Sequence, residues 1–465
     1  MASAIHCDAV WAGDVPAIGM PWRVPDLPRG EAVVSLSATR LRNDGPLSLA
    51  QLSDFALRNN PATRAAWAST LADTAGIAAA RALLQPNLAL SVPITVDHGA
   101  AGGGAAASTA AAPTAASVTR SLSPSLGLSW VLFDFGARAS GVEAARWQAV
   151  ASQLGYNREL QTVVSAVEQA YYILLGARQL QAVLQLGVQA ARASLDVAQA
   201  RRRAGLATAG DTAQAEAAWA DANLQWVRAQ ATARSAEGSL AHAIGLPVNT
   251  ALNLAGDVAD DDATSPVAVT QPYAPRIDEL LATARTSRAD LVALNALVLQ
   301  GNAQLAAAQA QGRPTLALSA QADRRWGSDG GPRSAQQVAL TLSIPLFDGG
   351  LVRAQTQAAR ARVQLLAAQR DQQRQSVELE VWQSFQNADS AEAVIDSAQA
   401  LLRSATVAES AARERYGFGV GSLLELLLAQ STAAQARVSV VQARYDARLA
   451  VARLGYAVGA RPVPN

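Results

Sequence analysis

The sequence predicts an α+β chain in which long antiparallel coiled-coil helices carry two pairs of amphipathic β-strands, the whole unit being written twice. Three observations predict it. One five-residue motif recurs 214 residues further on, with Phe133 and Phe347 in the same place. In both copies a period-two pattern gives way at that motif to a helical one. Half of the 465 residues are hydrophobic, yet only 5% are aromatic and 16% charged, so small aliphatic side chains, chiefly Ala, make up much of that half. Ala has the best helix propensity and little bulk, which suits long helices in close contact better than a deep core.

The repeat is extensive. Leu132-Phe133-Asp134-Phe135-Gly136 returns as Leu346-Phe347-Asp348-Gly349-Gly350, and one register pairs Gly205 with Gly419, Thr208 with Ser422, Asp211 with Glu425 and Gly245 with Gly459. Upstream, Gln85-Pro86-Asn87-Leu88 matches Arg313-Pro314-Thr315-Leu316 at a larger offset, 228 residues. The extra residues of the first copy fall in the Ala/Gly-rich stretch Gly99 to Ser117, which reads as a loop. A period this long is a duplication of a large unit, since solenoid repeats run about 20 to 50 residues.

Each copy reads helix, strand, strand, very long helix, turn, helix. Residues 1–46 read as an extended or disordered segment. The first copy spans 47–256, with strands near 86–98 and 119–132 and helices near 136–203 and 208–244. The stretch 257–275, holding Asp260-Asp261-Asp262 and two prolines, reads as the linker. The second copy spans 276–459, with strands near 314–324 and 336–346, helices near 350–416 and 422–458, and a tail at 460–465. In the strands Leu88, Leu90, Val92, Ile94 and Val96 alternate with small or polar residues, as do Val338, Leu340, Leu342, Ile344 and Leu346. No proline interrupts Gly136 to Arg203, a helix that would reach roughly 100 Å. Val381, Ala388, Ile395 and Leu402 recur every seven residues, with Ser384, Ala391, Ala398 and Ala405 three further on, an a/d seam built mainly of small side chains.

Composition excludes several functions. The net charge of +1 gives no electrostatic reason for a nucleic-acid partner. Every basic residue is Arg, which reads as a compositional bias of the source rather than as chemistry. One cysteine, Cys7, forms no internal disulfide, and with His6, His98 and His242 it makes no metal-ligand spacing, so neither metal nor cofactor is expected. Asp134-Phe135-Gly136 mimics a kinase metal motif without its companions, and Gly417-Phe418-Gly419-Val420-Gly421 ends a helix where phosphate cradles follow a strand. Both read as turns, and no enzyme activity is expected. Met1 to Met20 has neither a charged nor an apolar export region, and no run of 18 apolar residues offers a helical membrane span. Strands of a barrel remain, since their alternating signal is weak.

Four strands cannot close a barrel, because single-chain bacterial barrels need at least about eight. Several chains would have to contribute. Two tandem copies of strand, strand, long helix, turn and helix, with Leu-Phe-Asp-x-Gly at the junction and the turns Arg201 to Asp211 and Arg415 to Glu425, resemble the TolC family of outer-membrane efflux proteins over roughly Leu47 to Val458.

That resemblance implies a homotrimer whose four strands per chain make a twelve-stranded barrel in outer-membrane lipid, continued by an α-helical tunnel in the periplasm. It implies a passive exit duct, for drug efflux or type I protein secretion, working with a periplasmic membrane-fusion adaptor and an inner-membrane transporter, ABC or proton-driven. It assigns the adaptor-contact tips to Gly205, Leu206, Thr208, Gly419, Val420 and Ser422, an acidic ring at the pore mouth to Asp211 and Glu425, and the gate to Tyr416 and Arg415. Three copies of one carboxylate around a narrow axis would attract cations and resist full ionisation. Phe133, Gly136, Phe347 and Gly350 mark the strand-to-helix junctions. Two positions depart from the pattern: Leu428 replaces a second ring acid, and Gly421 a gating arginine. Trp130 and Trp326 lie near strand ends, where interfacial aromatic belts occur. The rival expectation is a soluble coiled-coil scaffold, which accounts for the heptads but leaves the amphipathic strands unexplained.

Overall fold

The structure, a computed structural model, describes residues 45–100, 116–255, 277–327 and 330–459. The expected linker 257–275 and tail 460–465, together with Cys7, lie outside the described residues. Of the expected N-terminal segment only Gly45 and Pro46 are described.

Each strand pair is entered through two helices rather than the single one expected. α1 (Leu49–Asn59) and α2 (Pro61–Ala82) meet at Asn60, whose side chain caps α2 while Pro61 takes the first helical position. Proline is favoured there because the N–H it lacks has no partner in a first turn. Their counterparts α5 (Ile277–Ser287) and α6 (Ala289–Ala310) meet at Arg288, which has extended backbone. By length and composition α6 could cross a membrane. The sequence criterion missed it because Asn295, Gln300 and Asn302 interrupt its apolar run. Packing along α3 and α7 accounts for part of that apolar surface.

Among the described residues the sheet has six segments in four lanes, all antiparallel. The expected strand 86–98 is broken into β1 (Asn87–Ser91) and β2 (Ile94–Ala100), and the expected strand 119–132 into β3 (Ala116–Leu122) and β4 (Ser125–Phe133). Pro93 and Pro124 stand at the breaks, where a missing N–H interrupts the ladder. The freed groups pair locally: Ser123 N–H donates to Pro93 O, and Arg324 N–H to Pro124 O, both at 3.0 Å. β5 (Thr315–Gly327) pairs with β4, β3 and β6 (Gly330–Ser343). β6 stops at Ser343 rather than near 346, just before Pro345.

The register sorts the two faces cleanly. Leu88 faces Leu128, Trp130 faces Leu318, and Leu318 faces Leu340, all of one parity. On the other parity Asn87 faces Ser129, Ser129 faces Ser319 and Gln321 faces Gln337. A concavity lined by Asn87, Ala89, Gly127, Ser129, Ser319, Gln321 and Gln337 lies on this small, polar side. Cross-strand hydroxyl pairs, Ser91 with Ser125 (2.8 Å) and Thr95 with Ser121 (2.6 Å), tie it together.

From β4 the chain enters α3 (Ala137–Arg203), and from β6 it reaches α7 (Leu351–Gly417); both have 67 residues, about 100 Å of helix. α4 (Ala209–Ala243) and α8 (Leu423–Val458) return antiparallel against them. The α7–α8 seam buries Val381, Ile395, Ala398 and Ala405, with Ala388, Ala391 and Leu402 packed beside them. Continued by sevens, the seam reaches Glu409 and then Tyr416, both buried. Glu409 accepts from Arg413 (2.6 Å) and Arg437 (2.7 Å), so the charge enters the seam paired. At the opposite end of α8, buried Arg288 bonds both oxygens of Asp290 (3.1 and 2.7 Å), Glu380 (2.6 Å) and the Ala457 carbonyl (3.0 Å). Burial acts to raise the Asp290 carboxyl, but the bonds and charge of Arg288 outweigh it and hold it below the usual range.

Candidate functional site

Two sets of sequence-predicted residues occupy opposite ends of the long helices. At the strand-to-helix junctions the aspartate of the repeated motif explains the motif. Asp134 accepts from the backbone N–H of Gly136 (3.2 Å) and Arg138 (3.0 Å), and Asp348 from those of Gly350 and Val352 (both 2.9 Å). Each carboxylate thus satisfies donors that a helix start leaves unpaired. Gly136 and Gly350 both stand at φ 89°, a left-handed backbone that glycine adopts without strain. The Asp348 carboxyl is held low by the N–H groups of Val352 and Gly350. For Asp134 burial works upward, and the bonds and charge of Arg138 override it. Arg138 also donates to the carbonyls of Leu83 (2.8 Å) and Val131 (2.6 Å), pinning the end of α2 to β4. Phe133 stacks edge-on against Phe135 at 4.7 Å, whereas Phe347 is 91% exposed.

At the far end the helices reverse. After α3, Gly205 (φ 77°) lets Leu206 N–H reach back to Arg201 O at 2.8 Å; after α7, Gly419 (φ 76°) lets Val420 N–H reach Arg415 O at 3.0 Å. These are glycine C-caps of the expected kind. Gly421 sits in a tight place: a Cβ there would lie 3.0 Å from Arg415 Cβ and 3.1 Å from Tyr416 N, so a larger residue needs these neighbours to give by a few tenths of an ångström. Leu206, Phe418 and Val420 are 77%, 84% and 72% exposed, an apolar tip on each hairpin.

The two acids differ in what they do. Asp211 closes a capping box: Thr208 Oγ1 accepts from Asp211 N–H (3.1 Å), while the carboxylate accepts from Thr208 N–H (2.7 Å) and its hydroxyl (2.9 Å). The backbone bond first, then the hydroxyl, holds this carboxyl below the usual range within one chain. In the second hairpin Ser422 Oγ accepts from Glu425 N–H (3.1 Å), but the longer Glu425 side chain leaves its own cap and takes Arg415 Nη1 at 2.6 Å.

Arg201 stands where Arg415 does, four residues before the turn glycine, yet its matching acid is occupied by Thr208. It crosses instead to the other hairpin. Its Nη2 donates to the carbonyls of Tyr416 and, at 3.0 Å, Gly417, and its guanidinium lies 4.1 Å over the Tyr416 ring. Tyr416 is buried among Leu195, Ala198, Ala215, Leu423 and Leu426. One heptad earlier, Ser194 and Gln430 exchange hydrogen bonds of 3.1 and 3.0 Å between α3 and α8. The structure thus brings Tyr416 to Arg201, Arg415 to Glu425 and Asp211 to Thr208, each acid bonding within its own hairpin. Arg201 was not among the expected site residues. Its one signal in the sequence is its place before Gly205, matching Arg415 before Gly419.

An amphipathic antiparallel sheet joined by capped turns to helices of about 100 Å is the architecture of an outer-membrane channel protein. The chain matches the outer membrane efflux protein pattern over residues 52–246 and 280–460. Protein CyaE of Bordetella pertussis (strain Tohama I) is 30% identical over 451 residues, covering 92% of this chain and 89% of that protein. Outer membrane protein OprJ of Pseudomonas aeruginosa is 27% identical, with 88% and 84% covered. The crystal structure of the outer membrane protein VceC of Vibrio cholerae superposes with a TM-score of 0.74 at 21% identity, covering 89% of this chain and 96% of that one. The chain belongs to the outer membrane efflux protein family. It is an outer-membrane protein that serves as an exit duct, its helices reaching into the periplasm, and the soluble-scaffold expectation is set aside.

Proposed function

We propose that three copies of this chain close a twelve-stranded barrel over a tunnel of their long helices, and that the duct passively conducts substrate delivered by an inner-membrane transporter through a periplasmic adaptor. One observation carries the assembly: the four-lane sheet ends in two open edges, β1 with β2 on one side and β6 on the other. Unpaired backbone groups in hydrocarbon cost several kcal/mol each, and three sheets joined edge to edge leave none. The duplicated unit, 47–256 and 276–459, fits this closure, because each copy then supplies two lanes and one long hairpin.

The exposed tips of Leu206, Phe418 and Val420, with Gly205, Thr208, Gly419 and Ser422 shaping their turns, are the adaptor-contact surface in this proposal. Asp211 and Glu425 contribute acidic charge near the mouth, and Tyr416 with Arg415 and Arg201 controls its width. Cargo is a small drug-like molecule or a secreted protein, and no chemistry occurs on it. Conductance in planar bilayers tests the proposal. Cation-preferring pores whose preference falls in an Asp211→Asn, Glu425→Gln double variant are expected; unchanged selectivity would remove the acidic charge from the mouth.

A further inference from the structure

Among the described strand residues, the apolar parity of the sheet carries two charged side chains, Arg120 and Arg324, and both lie at the end away from the helices. Their placement follows from the register. Leu122 faces Trp326, so Arg120, two residues before Leu122, and Arg324, two residues before Trp326, project on the face that carries Leu88 and Leu318 below. Arg324 lies eight residues beyond Leu316, about 26 Å along the strand and about 20 Å in height at the usual tilt, near the far rim of an apolar band about 25 Å tall. Both arginines are exposed, and the Arg324 guanidinium lies 5.0 Å over the Trp326 ring. Ser334 stands directly across from Arg324 and adds a hydroxyl at that level.

We propose that Arg120, Arg324 and Trp326 form a docking surface for a phosphorylated glycolipid headgroup of the outer leaflet. The inference rests on the barrel reading above, which turns this face toward lipid and this end toward the exterior. Charge complementarity selects the occupant. A cationic rim above an apolar band meets acyl chains below and phosphate at the headgroup level, and a guanidinium binds phosphate oxygens through paired N–H donors. Trp326 is suited to the same level, its ring spanning the apolar and wet sides of the interface. In register Arg120 lies four residues beyond Arg324, about 13 Å, so the pair addresses two phosphates rather than one.

The test uses full-chain protein reconstituted in phosphatidylcholine vesicles containing a minor fraction of lipid A, then extracted and weighed with its retained lipid by native mass spectrometry. Wild type should keep lipid A and release the same lipid stripped of its phosphates. An Arg120→Gln, Arg324→Gln double variant should lose retention by roughly tenfold to thirtyfold, the effect of two charges near an anionic surface, while Arg324→Lys keeps part of it. Inorganic phosphate in solution should not displace the lipid; displacement would make this a free-anion site. Equal retention of the phosphorylated and stripped lipids by wild-type trimers would overturn the headgroup site alone, whereas protein that fails to enter the bilayer would overturn the barrel reading with it.

Discussion

Asp211 and Glu425 occupy matching places in the two hairpins, and one methylene separates what they do: the shorter acid folds back on Thr208, the longer one reaches Arg415. That difference frees Arg201 to join α3 to the end of α7. Arg201→Gln should therefore raise single-channel conductance while leaving trimers intact, whereas Arg415→Gln loosens only its own hairpin; equal conductance for wild type and Arg201→Gln would show that the link does not narrow the mouth. The aspartates that cap helices give a pH prediction. Asp134, Asp211 and Asp348 are all lowered in the folded chain. Their contribution is fully present above the ordinary aspartate value of about 4 and is lost as pH falls through the lowered folded values. The melting temperature should thus fall below about pH 4, and Asp134→Asn should flatten part of that dependence. The residue types at both ends were legible as a repeated motif, but their partners were not. Arg201 and Tyr416 are 215 residues apart, and nothing local marks their meeting.

At the scale of elements, the seam between α7 and α8 is held by small side chains with one charge inserted. Glu409 takes an a position with Arg413 and Arg437 on its two oxygens. A polar group in such a seam fixes register at some cost in stability. Arg437→Ala strips one partner from a buried carboxylate and should destabilise the hairpin by roughly 1–3 kcal/mol, read as a lower melting temperature. Glu409→Leu should be neutral or stabilising, and a loss as large as that of Arg437→Ala would mean the charge itself holds the seam. Gly419→Pro removes a left-handed turn residue and should abolish adaptor binding in a pull-down without loss of trimers; intact binding would detach the tips from docking. The helical elements were readable because proline-free, Ala-rich stretches admit little else. The strands were readable by alternation but not by continuity, since Pro93 and Pro124 cut two of them where period-two patterning runs straight through. A proline in alternating sequence is ambiguous: it can end a strand or bridge two segments of one lane, and the neighbouring β5 decides for the latter.

For the whole molecule, the described sheet has an apolar face, a polar face and two open edges, and the proposed closure with other copies would pair those edges. The exposed apolar side chains of α7, among them Leu379, Val394, Leu401 and Val407, fit the same need for neighbouring copies. The proposed need for other chains rests on the amino-acid pattern, in which four strands are too few to close a barrel. Their number came from family resemblance, since no physical rule in one chain distinguishes three copies from another closure. The most direct test is the mass and shape of full-length protein extracted from membranes. A detergent-bound trimer, seen as a cylinder well over about 100 Å long, is the predicted result. A monomer or dimer that stays in solution without detergent would contradict the account.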